Sequence, residues 1–193
     1  MGYAKPILYP LIAAPFFFLF GANGFSLLNG LFLGGSIALS YLFLRKYFNR
    51  VDSLFIATAF FLCSFIPVYI VWVHPEMMLF FACSLSMWLW LHKDKTTLSA
   101  LIIGIMSSVK IMFIFLLIPI IVVLGFDRKF KELFKAIGIY ALGVGAMSFL
   151  TVLFFGQFFP YNGAKGFIYS AIKYIMATQI PPYSGTTGIM PSN

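Results

Sequence analysis

Acidic side chains are scarce in this sequence: Asp and Glu together number 5 among 193 residues, against 13 Lys and Arg. Charged residues of either sign make up only 9% of the chain, 62% is hydrophobic, and the mean hydropathy is +0.99. Too little polar surface exists to cover a soluble domain, which excludes that class. Period-two alternation is lacking as well: the apolar runs are continuous over roughly 20 residues, so a β-barrel is excluded and helices remain. Cysteine is limited to Cys63 and Cys83. Both fall in apolar runs without a charged neighbour, so they read as small buried hydrophobes, neither a disulfide framework nor activated thiols. No internal repeat is visible, leaving a transporter built from inverted repeats without support. Nor is there a secretory signal pattern, because Pro6, Pro10 and Pro15 punctuate the stretch after Lys5 and no small-residue cleavage site follows.

The charge that is present is clustered. Arg45, Lys46 and Arg50 form one group, His92, Lys93 and Lys95 a second, and Arg128, Lys129, Lys131 and Lys135 a third. Clusters of this kind set orientation in a bilayer. With all three cytoplasmic, Lys5, Lys165 and Lys173 fall outside. The net charge of +8 is then a positive-inside signature, and no nucleic-acid partner is expected.

This sidedness predicts an all-α integral membrane protein, a polytopic helix bundle with about four full spans. The spans are 26–44 inward, 54–72 outward, 77–91 inward and 136–155 outward, with Trp72 at the outer interface and Trp88 and Trp90 at the inner one. The run 98–124 begins and ends beside cytoplasmic clusters, which a single crossing cannot do. A broken, re-entrant-like pair can: 98–106 rises, the chain bends near Ser107 and Ser108, and 110–124 descends. One long tilted helix is the alternative, and it would place 128–135 outside. Gly138, Gly143 and Gly145 offer close helix contacts. Residues 7–20, with their prolines, suit the outer interface, as does an amphipathic helix over 164–178. The domain division that follows is 1–155, transmembrane, and 156–193, an extracytoplasmic loop rich in Pro and Gly.

Lys110 is the candidate functional residue that stands out. A charge at membrane depth costs roughly 2.5 kcal/mol or more and normally faces protein or a water-filled cavity, so an anionic partner or an unwound helix end is expected beside it. Asp52, Asp94, Asp127 and Glu132 read as solvated loop charges next to Lys or Arg. Glu76 stands apart on the outer side, after His74 and Pro75. There it suits the first turn of a helix, where an acid complements the dipole, and a role in a site is compatible with that. Lys5 at headgroup level can bind phosphate as a point charge or snorkel to lipid phosphates.

Three stretches carry a resemblance. Ala4-Lys5-Pro6-Ile7-Leu8-Tyr9-Pro10-Leu11-Ile12-Ala13-Ala14-Pro15-Phe16 resembles the end of a large first outer loop, where a Lys-Pro-Pro-like element leads into a juxtamembrane helix. Trp72-Val73-His74-Pro75-Glu76 resembles a short outer turn with an acidic position, and Gly104-Ile105-Met106-Ser107-Ser108-Val109-Lys110 resembles a Gly-x-x-x-x-x-Lys element between two short helices. In this order they resemble the N-terminal half of the GT-C superfamily of membrane glycosyltransferases, the polyprenyl-phosphate-sugar-dependent kind related to protein mannosyltransferases and aminoarabinose transferases, over residues 1–155. The resemblance implies transfer of a sugar from a polyprenyl-phosphate donor to an extracytoplasmic acceptor at a prokaryotic inner or plasma membrane. It implies donor-phosphate binding by Lys5 and Lys110, Glu76 as catalytic residue or ligand of a divalent metal ion, and Tyr9 and His74 lining the substrate pocket. The family's first-loop catalytic acid has no counterpart here, so a further membrane subunit or adjoining segment is expected to supply it, with membrane lipids as the other partners. The alternative is a non-catalytic GT-C-like subunit, a scaffold or lipid-binding module in a larger complex. Transport or channel activity is a third class, supported by Lys110 alone.

Overall fold

The computed structural model describes residues 8–155 apart from residue 65, and over these residues the protein is all-α. Seven α-helices follow in order: α1 Leu8–Phe20, α2 Asn23–Leu44, α3 Arg50–Leu62, α4 Glu76–Leu91, α5 Thr96–Ser107, α6 Leu117–Phe126 and α7 Phe130–Phe155. Two 3₁₀ segments, Ile66–Ile70 and Ile111–Leu116, lead out of α3 and into α6. Lys5 and the amphipathic helix expected over 164–178 lie outside the described residues, as does the loop 156–193.

Side-chain contacts fix the helix directions. Phe32 of α2 meets Phe81 of α4 with ring centroids 5.6 Å apart, Leu28 packs in one cluster with Met78 and Leu79, and Leu33 in another with Met77. The two helices therefore run parallel. Between them in sequence, α3 returns, bringing Phe61 and Ile66 against Leu33 and Met77. α5 reverses again, so that Met106 and Val109 reach the cluster of Tyr9, Leu28 and Met78. α6 folds back along α5, with Leu117, Ile120 and Leu124 in one core with Ala100, Ile103 and Ala136. The three basic clusters thus gather at one end of the bundle. The charge of Asp94, in the second cluster's loop, is felt at Lys129 in the third.

The expected break in 98–124 is present. At the break Ser107 Oγ donates to Ile103 O at 2.8 Å and Ser108 Oγ to Gly104 O at 3.5 Å. Such back-bonding competes with the helical ladder. α5 ends there, and Lys110 is extended at φ −147°, ψ 111°.

Three expectations are corrected. Among the described residues two helices, not four, are long and apolar enough to cross a membrane, Asn23–Leu44 and Phe130–Leu153 of α7. The span expected over 54–72 is interrupted after Leu62, because Pro67 cannot continue the α3 ladder. Ser64 Oγ caps the break, donating to Phe61 O and accepting from the Ile66 N–H. α4, with 16 residues, rises about 24 Å, short of a hydrocarbon layer of about 30 Å. Second, of the three glycines expected to make close contacts only Gly143 does so: a Cβ there would lie 2.8 Å from Leu101 O, whereas Gly138 and Gly145 face open space. Its counterpart is Gly104, where a Cβ would collide with the Tyr140 carbonyl, so the tight α5–α7 contact rests on a pair. Third, Cys63 is exposed, at the end of α3, and not buried.

Candidate functional site: a charged cluster at a helix break

At the end opposite the basic clusters, α4 begins after Pro75, whose φ of −75° suits a helix start. Its first residue, Glu76, is where the dipole favours an acid. The break after α5 brings Lys110 to the same place. Lys110 Nζ lies 3.6 Å from Glu76 Oε1, and His74 Nδ1 lies 3.6 Å from Glu76 Oε2. The carboxylate is 23% exposed, the lysine 48% and the histidine 43%. Glu76 Oε2 itself is out of solvent and has no hydrogen-bond partner among the described residues.

Beneath this trio lies Asn29, fully buried in α2. Its amide nitrogen is 2.9–3.2 Å from the carbonyls of Tyr69, Ile70 and Trp72, and its oxygen accepts the Tyr9 hydroxyl at 3.0 Å. These carbonyls belong to the end of a 3₁₀ turn and the loop after it, and that of Trp72 also accepts the His74 N–H at 2.9 Å. Asn29 donates to all three and thereby fixes the loop that carries His74 and Glu76. Tyr9 stands in α1, which at 13 residues is too short to cross a bilayer. Burial raises its phenol pKa, and the Glu76 carboxylate raises it further. Tyr69, Trp72 and His74 complete an aromatic edge, with Tyr69–Trp72 centroids at 5.7 Å and Trp72–His74 at 5.8 Å.

The structure therefore brings together Glu76, Lys110, His74 and Tyr9 from three separate stretches. Lys110 has the anionic partner expected of it, although it is half exposed and not enclosed. Asn29 was missed, yet the signal was the one that singled out Lys110: a strongly polar side chain inside an apolar run. Among the described residues no group of three or more His, Cys, Asp or Glu side chains could hold a metal ion. Glu76 and His74 offer two ligands, beside an ammonium that repels a cation, so a divalent ion does not fit this cluster as it stands.

A cavity in the described bundle lies elsewhere. It measures about 360 Å³ between α2, α3 and α4, and none of Tyr9, His74, Glu76 or Lys110 lines it. Comparison with family models, curated proteins and solved structures gave no match to this chain.

Proposed function

We propose that this chain is part of a membrane glycosyltransferase that moves a sugar from a polyprenyl-phosphate donor to an acceptor on the extracytoplasmic face of a prokaryotic inner membrane. The membrane setting is supported by exposed apolar surface: Phe18 is 87%, Phe126 85% and Phe55 72% exposed. Only 22% of the most apolar 18-residue window of each long helix is buried within the bundle, where the core helix of a soluble protein would be mostly covered.

One observation carries the catalytic reading. Glu76 has one oxygen beside Lys110, while the other is out of solvent and without a hydrogen bond among the described residues, an unsatisfied acceptor that a hydroxyl entering beside His74 would satisfy. In the proposed step the acceptor oxygen attacks the anomeric carbon, its proton passes to Glu76, and the bond to the phosphate oxygen breaks with its electron pair leaving on the polyprenyl phosphate. Lys110, shared between Glu76 and solvent, stabilises that phosphate's charge, and His74 positions the carboxylate. A partner subunit or adjoining segment supplies the remaining acid.

The second reading, a non-catalytic scaffold or lipid-binding module, is favoured by the same ion pair taken as closed, each charge satisfying the other. Protein reconstituted together with the component that supplies the remaining acid separates the two. On the enzyme reading Lys110→Ala weakens polyprenyl-phosphate binding roughly tenfold or more, by loss of a charge-assisted contact, while Glu76→Gln retains binding and abolishes transfer. Unchanged binding in both variants, with lowered stability, leaves the scaffold.

A further inference from the structure

The cavity between α2, α3 and α4 is bounded by Phe43, Leu44, Phe60, Cys83, Trp88 and Leu91 among others, and its wall is almost wholly apolar. At about 360 Å³ it falls in the range of ligand sites and has room for one acyl chain, not a whole lipid. Phe60 and Leu91 on its wall are 69% and 43% exposed, so it can be reached from the side.

Its position in the fold is informative. Leu44 is followed directly by Arg45 and Lys46, and Leu91 by His92 and Lys93. The Lys93 ammonium lies 5.2 Å from the centroid of the Trp88 ring, and His92 stacks on the same ring at 5.7 Å and 18°. Trp88 Nε1 and His92 Nδ1 are both buried without a hydrogen-bond partner among the described residues. An apolar slot, two polar nitrogens lacking partners and a group of cations at one end match an anionic amphiphile, its chain in the slot and its headgroup among the bases. Basic pockets between helices on the cytoplasmic side recognise anionic lipids by this chemistry.

We infer that the cavity seats one acyl chain of an anionic phospholipid from the leaflet facing the basic end, with the lipid phosphate held by Arg45, Lys46 and Lys93. The inference rests on the membrane setting but not on sugar transfer. Its role is structural or regulatory: the lipid fills the gap between α2, α3 and α4 and ties the chain to an anionic leaflet.

The test uses the full chain in lipid vesicles, with Trp72→Phe and Trp90→Phe leaving Trp88 as the fluorophore. Flotation with the vesicles comes first, and failure to float removes the membrane setting itself. Brominated phosphatidylglycerol is then titrated against brominated phosphatidylcholine. Saturable quenching of Trp88 at a low mole fraction of the anionic lipid only is expected. Removing charge in Arg45→Gln, Lys46→Gln and Lys93→Gln lowers the preference about fivefold for each cation lost. Ser84→Phe, which fills the slot without touching charge, abolishes the saturable phase. Equal quenching by both lipids overturns the inference. A preference that survives Ser84→Phe in a protein that still floats also overturns it, by showing surface attraction without a seat.

Discussion

The two ends of the bundle handle charge in opposite ways. At one, a few polar groups from distant stretches are arranged against one another: Glu76 between Lys110 and His74, and Asn29 between Tyr9 and three backbone carbonyls. At the other, many cations occupy short loops and helix ends, and their pairing is local and exposed. Lys129 meets Asp127 two residues away at 2.9 Å, and Asn49 caps α3 through Asp52. Position in a loop explains the second group. The first requires the whole fold, which is why it is the candidate site.

The largest effect expected from this contrast is at Asn29. Asn29→Leu removes the donor to the carbonyls of Tyr69, Ile70 and Trp72 and the acceptor of the Tyr9 hydroxyl in the interior, a loss of about 3 kcal/mol. A lowered unfolding midpoint in detergent checks it, and a matching loss from Asn49→Ala at the opposite end would erase the contrast. Next comes the glycine pair: Gly104→Ala forces α5 from α7 and costs about 2 kcal/mol, whereas Gly138→Ala, facing open space, changes the same midpoint negligibly.

Smaller again is the Glu76–Lys110 coupling. Both side chains are partly exposed, so a double-mutant cycle with Glu76→Gln and Lys110→Met should give about 0.5–1 kcal/mol, the discount for solvent screening included. Smallest is the Asp127–Lys129 pair. Asp127 raises the Lys129 pKa, so its contribution is present at neutral pH and is lost only as pH rises through the folded-state pKa. Because Lys129 is fully exposed, Asp127→Asn should leave the unfolding midpoint unchanged across that window, and a measurable fall would show that the basic end is more ordered than its exposure implies.

Much of the architecture was legible. The helix at 26–44 and the start of α4 at Pro75–Glu76 follow from apolar length and proline, and the fold back after α5 follows from cation placement, which a single crossing of 98–124 would contradict. The interruption of the 54–72 run was not anticipated, though Pro67 was in plain view, because mean apolarity over the run outweighed one residue. Gly143 could not be told from Gly138 and Gly145, since glycine contact depends on which helix face meets a neighbour. In the site, Lys110 and Glu76 were legible as isolated charges. That they pair was not, because their separation in sequence is bridged only by the packing of α4 against α5. Asn29 follows the same rule as Lys110 but carries no charge, and its role depends on carbonyls that the turn after Pro67 aims at it.

The measurement that bears most directly on the account is accessibility across the α5–α6 break in whole cells. With Cys63→Ser and Cys83→Ser as background, single cysteines are introduced by His74→Cys and Lys129→Cys and treated with a membrane-impermeant thiol reagent. The account predicts labelling at position 74 in intact cells and at position 129 only after permeabilisation. Labelling at position 129 in intact cells would contradict it, by placing the two basic loops that flank the broken hairpin on opposite faces.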